Sequence, residues 1–131
     1  MSDRDEVGEW IAKADEDYAG AVALKRRRKK PLSNLVCFHA QQCVEKYLKA
    51  YLAFGEISFP RVHDLVALLD LCVASDAAFE RLRESCIILD PYSVLFRYPG
   101  QDANPEEAAT ALKAARQVRS FLQRRRPFRL S

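Results

Sequence analysis

The sequence predicts an all-α fold, an antiparallel up-and-down bundle of four to five helices. Two observations carry that expectation: apolar residues recur at three- and four-residue steps along most of the 131 residues, and only four glycines and few β-branched runs interrupt them. The length fits a single domain, 1–131, with a basic tail from about residue 124.

Each element has its own signal. Val7, Trp10, Ile11, Ala14, Tyr18, Ala21 and Val22 form one stripe, which predicts a first helix over about residues 4 to 29, fading before Pro31. Ser33 or Asn34 can cap a second helix that carries Val36, Cys37, Ala40, Cys43, Val44, Tyr47, Leu48 and Tyr51 inward and stops near Gly55. On a helical wheel the opposite arc collects His39, Gln41, Gln42, Glu45, Lys46 and Lys49. Asp64 can cap a short third helix through Leu65, Leu68, Leu69 and Cys72, and a fourth places Phe79, Leu82, Cys86 and Leu89 in register before Pro91. Pro99 and Gly100 stop whatever begins at Tyr92. Asn104-Pro105-Glu106-Glu107 then starts a last helix with a cap, a proline at its first position and acids at the positive end of its dipole; it should bury Ala108, Ala111, Leu112, Ala115, Val118 and Leu122.

Composition narrows the function. With 49% hydrophobic and 30% charged residues, and no apolar run of the roughly 20 residues a spanning helix needs, the expectation is a soluble protein with no membrane role. The acidic opening MSDRDEVGEW lacks the pattern of an export signal, so a cytoplasmic location is expected. Cys37, Cys43, Cys72 and Cys86 sit inside apolar-periodic segments without zinc or redox spacing and are expected as reduced core thiols. No phosphate-binding glycine loop, dinucleotide fingerprint, H-E-x-x-H or calcium loop is present, and no metal or cofactor is expected.

Charge is unevenly placed. The formal net charge is +3 from 21 basic and 18 acidic residues. Lys25, Arg26, Arg27, Arg28, Lys29 and Lys30 form one basic run and Arg124, Arg125, Arg126 and Arg129 another; without those ten, 11 basic residues face 18 acidic ones, so the body of the chain is acidic. Such runs are either phosphate-binding patches or a solvated helix end and a tail.

Only His39 and His63 could act as bases near neutral pH without a large shift. His39, at the edge of an apolar arc, reads as a core histidine bonded to a neighbouring helix. His63, in the loop before the Asp64 cap, either braces that turn or does chemistry. Arg97 can grip a phosphate or form an internal pair with Glu45 or Asp90. The arc of Gln41, Gln42, Glu45, Lys46 and Lys49 can be a solvated face, a dimer interface, or the wall of a polar cleft shared with Arg97.

In their order and spacing, CFHAQQCVEKYLKAYL, FPRVHDLVALL, PYSVLFRYPG and PEEAATALKAARQVRSFL resemble the HEPN domain family, in the stand-alone prokaryotic type found beside minimal nucleotidyltransferases. The resemblance runs from about Trp10 to Leu122, with Gln41, Gln42, Glu45, Lys46, Leu48 and Lys49, then His63, Asp64 and Leu65, then Tyr92, Val94, Arg97, Tyr98 and Pro99 on the family's pattern. It implies a helical bundle, usually a homodimer, that binds a nucleotide or RNA and in many members is a metal-independent ribonuclease of toxin–antitoxin or defence systems. Those nucleases carry an R-x4-6-H motif, and here no histidine follows Arg97. Tyr98 is a loose analogue of the tyrosine that partner nucleotidyltransferases can adenylylate.

The expected function is therefore nucleotide or RNA binding beside a nucleotidyltransferase partner in a toxin–antitoxin-type module. The binding residues would be Gln42, Glu45, Lys46, Lys49, His63, Asp64, Arg97 and Tyr98 with the run Lys25, Arg26, Arg27 and Arg28. The alternatives are a ribonuclease using His63 and Arg97, and a helical adaptor without a ligand.

Overall fold

The computed structural model describes residues 3–95 and 97–125. Within them the chain forms α1 (Asp3–Lys25), α2 (Ser33–Phe54), α3 (Leu65–Ser75), α4 (Arg83–Leu89) and α5 (Pro105–Gln123), with 3-10 helices at Ala77–Leu82 and Asp90–Tyr92. The all-helical bundle is borne out, and no helix among the described residues is long and apolar enough to cross a membrane.

Side-chain pairs give the helix directions. Trp10 meets Lys49, Asp15 meets Tyr47 and Asp17 meets His39, so α1 and α2 are antiparallel. Asn34 bonds the loop before α5 and Tyr47 bonds Arg119, so α2 and α5 run the same way. After α2, residues 55–64 climb back along it until the His63 carbonyl reaches Gln41, and α3 then runs down to Ser75 beside Tyr51. This extended return replaces a tight turn and lays Phe59, Arg61 and His63 against the outside of α1 and α2. α4 returns antiparallel to α5, with Phe79 on Phe121 and Ser85 on Gln117.

α2 is the central helix. Val36, Cys37, Ala40, Cys43, Val44, Tyr47, Leu48 and Leu52 pack with Leu65, Leu68, Leu69 and Cys72 of α3, Phe79 and Leu89, and Ala108, Ala111, Leu112, Ala115, Val118 and Leu122 of α5. Alanines along α1 and α5 let those helices approach closely. The four cysteines are buried free thiols, and burial raises Cys37 to about 11 and Cys72 and Cys86 to about 12. Such thiols stay protonated and inert at neutral pH.

Three boundaries differ from the sequence expectation. α1 ends at Lys25 instead of near 29, because residues 26 to 30 offer no apolar position to bury and Lys30 turns to a φ of 49° before Pro31. α2 has no side-chain cap: its cap position is Leu32, Ser33 is buried inside the first turn, and Asn34 instead accepts from the Ala103 N–H and donates to Asp102. The expected fourth helix is split, with Asp76 capping the 3-10 segment through the Ala78 N–H before α4 begins. The other caps form as expected: Asp64 accepts from the Ala67 N–H, and Asn104 and Glu107 make a reciprocal capping box.

Candidate functional site

Gln41, Glu45 and Lys49 stand at i, i+4 and i+8 on one face of α2, one above the other. The sequence leaves that face open to solvent as one alternative; the structure buries all three, because the returning segment 55–64 and the first turns of α1 cover them. The Glu45 carboxylate accepts from Gln41 Nε2 at 3.3 Å, from Lys49 Nζ at 3.1 Å and from His63 Nδ1 at 3.0 Å. Gln41 also donates to the His63 carbonyl at 3.1 Å, which fixes the loop as well as the ring. An ionised carboxylate only accepts, so in this bond His63 Nδ1 is the donor, and Nε2 makes no bond to Glu45. The His63 side chain is 66% exposed and Glu45 is 4% exposed, so a buried anion orients a ring that reaches solvent.

Lys49 completes the site. Its ammonium lies 5.3 Å from the Trp10 ring centre and 5.9 Å from that of Phe59, and the two rings meet edge to face at 6.4 Å. These groups line an open cleft of about 840 Å³ together with Glu6, Glu56, Arg61 and His63. Aromatic faces beside cations suit a planar, anionic ligand, because a base can stack while a phosphate meets the ammonium and guanidinium groups.

The structure divides the remaining sequence-nominated residues. Gln42 is half-buried and donates to Gln41 Oε1 at 2.7 Å. Lys46 is turned away from the cleft and pairs with Asp17 of α1, whose other oxygen meets His39 Nδ1 at 2.9 Å; His39 is thus the inter-helix histidine that its position suggests. Asp64 is spent on the α3 cap. Beside it Asp90 accepts from the Leu65 N–H at 2.9 Å, and burial, with the nearby Asp64 charge, raises the Asp90 carboxyl above its ordinary range. Lys25 closes α1 and Arg26, Arg27 and Arg28 lie exposed in the following loop, where Arg27 Nε donates to the Lys29 carbonyl. Arg126 and Arg129 lie outside the described residues.

Arg97 and His63 are not joined. Arg97 donates to the Pro91 carbonyl at 3.1 Å and lies 5.4 Å from the Tyr92 ring centre, near Cys37 and Glu107. His63 makes its bonds to Glu45 and Gln41, and none to Arg97 among the described residues. The internal pair considered for Arg97 with Glu45 is not made, since Glu45 is taken by Lys49 and His63. Tyr98 is exposed at a turn closed by the Gln101 N–H on its carbonyl, with Gly100 at a φ of 89°.

Sequence reasoning missed Trp10, Phe59 and Arg61 as site residues. Trp10 lies at the edge of the α1 stripe, and only the return of residues 55–64 puts Phe59 and Arg61 beside it. The polar ladder at i, i+4 and i+8 was the available signal, because it cannot be buried without a partner segment folding over it.

The model of the HEPN domain matches residues 7–125. The chain belongs to the HEPN domain family. That span holds the whole Gln41–Glu45–Lys49 ladder, the covering segment and Arg97. Membership supports a nucleotide- or RNA-related function in general terms. No curated protein and no solved structure matches the chain.

Proposed function

We propose that this HEPN protein binds a nucleotide, free or within an RNA, in the cleft between Trp10, Phe59 and Lys49. It does so as a single-domain homodimer that serves a nucleotidyltransferase in a cytoplasmic toxin–antitoxin-type module. The carrying observation is the Lys49 ammonium, held by a buried carboxylate and facing two aromatic rings in the lining of the cleft. Its position is set before any ligand arrives, which lowers the ordering cost of binding. Arg61 adds a second cation and His63 a hydrogen-bonding edge. The dimer is supported by the exposure of Val94, Leu95 and Tyr98 after the Asp90–Tyr92 turn, a cluster of apolar side chains of the kind that marks interaction surfaces.

Trp10 is the only tryptophan, so tryptophan fluorescence reports on the surroundings of this one ring in the cleft lining. Titration with adenosine, guanosine, cytidine and uridine monophosphates should give saturable quenching, weakened several-fold in Arg61→Ala and unchanged in Arg97→Ala. Absence of quenching by all four, at millimolar concentration and low salt, would overturn the assignment.

A ribonuclease reading draws support from one observation, the Glu45–His63 pair. A carboxylate that holds Nδ1–H leaves Nε2 able to take a proton from a ribose 2′-hydroxyl, and on this reading Lys49 and Arg61, which line the same cleft as His63, offset the charge that develops on phosphate. On this reading EDTA-resistant cleavage of labelled RNA disappears in His63→Ala and Arg61→Ala and persists in Arg97→Ala. Cleavage that survives His63→Ala sinks it.

A further inference from the structure

A second cation-lined surface lies apart from the Trp10 cleft, between α4 with its preceding 3-10 segment and the outer face of α5. The groove has a volume of about 900 Å³, and its lining includes Arg81, Lys113, Arg116, Arg124 and Arg125, with Glu84 the one carboxylate. On α5 and its C-terminal cap the lining positions Ala109, Lys113, Arg116, Gln117, Ser120 and Arg124 fall on one helical face. The sequence pattern of basic runs shows only the last part of this stripe, because Arg81 comes from another segment and Lys113 and Arg116 stand singly along α5.

Some cations of this region are occupied and others are not. Arg125 pairs with Asp76 and stacks 4.7 Å from the Phe121 ring centre, while Arg119, one step round the helix, lies between Asp15 and the Tyr18 ring. Arg116 Nε donates to the Tyr18 hydroxyl at 3.3 Å, a neutral partner that leaves its charge uncompensated. Arg81, Lys113 and Arg124 make no ion pair among the described residues. Arg125 Nε is buried and has no hydrogen-bond partner among the described residues.

We infer that this groove is a track for the phosphate backbone of single-stranded RNA. Lys113 to Arg124 spans eleven residues, about 16 Å along the helix. At about 3.4 Å per stacked nucleotide, that length faces roughly four to five phosphates, close to the number of cations available. The apolar lining argues against a protein helix as occupant. Leu82 is buried and Phe121 is covered by Phe79 and Arg125, so the groove lacks the exposed apolar anchor on which protein contacts depend. The inference goes beyond the nucleotide reading of the Trp10 cleft and does not depend on it.

The test is fluorescence anisotropy of a 5′-labelled twelve-nucleotide oligouridylate with the full chain at 50 to 300 mM salt. About four phosphate contacts give a slope of log affinity against log salt near −3, at about −0.7 per contact. The triple variant Arg81→Gln, Lys113→Gln, Arg124→Gln removes three exposed charges without touching the core. It should bind at least tenfold more weakly at 50 mM salt, with a slope shallower by about 2, while its circular dichroism melt and Trp10 quenching by mononucleotides stay as in the parent. Unchanged RNA affinity in that variant, or no binding by the parent, overturns the proposal. Displacement of the RNA by polyglutamate of equal charge and length at equal concentration also overturns it, in favour of an acidic protein partner. Mononucleotide quenching reports the cleft separately, so failure of one reading leaves the other visible.

Discussion

Replacing Lys49 with methionine should destabilise the protein far more than a surface lysine would. Glu45 and Lys49 are 4% and 8% exposed, so Lys49→Met leaves a buried carboxylate without its cation. Removing one member of a buried pair typically costs about 3–5 kcal/mol. Glu45 keeps Gln41 and His63 as donors, which places the expected cost at the lower end, about 3 kcal/mol. For a domain of this size that corresponds to a fall in melting temperature of about 10 °C. The double variant Glu45→Leu, Lys49→Met removes both charges, and the donors it strands have other partners: Gln41 still reaches the His63 carbonyl and the His63 ring is open to water. It should therefore recover to within about 1 kcal/mol of the parent, since an apolar pair of similar volume is often no worse than a buried ion pair. Urea denaturation followed by circular dichroism on the parent, both singles and the double gives the coupling directly. If Lys49→Met melts within two or three degrees of the parent, or if the double is worse than Lys49→Met alone, the account of the ladder as a desolvated, mutually dependent unit is wrong.

Three further outcomes follow from other parts of the bundle. Asn104→Ala removes one half of the α5 capping box and should cost about 1 kcal/mol, seen as a lower urea midpoint with an unchanged slope. Asp90 has a folded-state pKa raised above its ordinary 3.8, chiefly by burial, so the native state holds its proton longer than the unfolded chain. Its contribution to stability accordingly declines as pH rises from 3.8 through the raised folded value; Asp90→Asn should remove that part of the slope in urea midpoints measured across acidic pH. The four cysteines should react with a thiol reagent such as dithiobis-nitrobenzoate only on unfolding, because burial keeps them protonated and inaccessible. Release of a thiol equivalent from the native protein within seconds would contradict this.

Elements whose signals are local were legible in the sequence. Asn104 with Glu107 and Asp64 with Ala67 are caps made within four residues, and the α5 stripe from Ala108 to Leu122 is buried as its period requires. The end of α1 was misjudged because propensity extends a helix through arginines and lysines, whereas only buried contacts hold one in place, and those end with Lys25. The cap of α2 was misjudged because Asn34 is claimed by Asp102 and Ala103, nearly seventy residues away. The site fared in the same way. Glu45, Lys49 and His63 were legible as candidates from residue type and spacing, but their union depends on the backward path of residues 55–64. That path is set by long-range contacts such as Gln41 to the His63 carbonyl and Trp10 to Phe59.

The same long-range pairing explains where the net charge of +3 is expressed. A count along the chain suggests an acidic body with two basic runs, yet the fold pairs its charges selectively. Asp17 takes Lys46, Asp15 takes Arg119, Asp76 takes Arg125 and Asp70 and Glu80 share Arg83. Each of those pairs joins a helix to a neighbour or ties a turn to its own helix, so these cations serve the bundle. Glu45 takes Lys49 in the same way, so Arg81, Lys113, Arg116 and Arg124 are left on one face and Arg61 on another. Because field strength near a surface depends on uncompensated charge and not on the total, the groove face, with Glu84 its one lining carboxylate, is where positive charge is least opposed, while in the cleft Glu6 and Glu56 stand beside Arg61. Among the basic residues, Lys46 is claimed by a carboxylate and turned away from the cleft, Lys49 is claimed but still lines the cleft beside Trp10 and Phe59, and Arg81 and Lys113, hidden from any run-based reading, make no ion pair among the described residues.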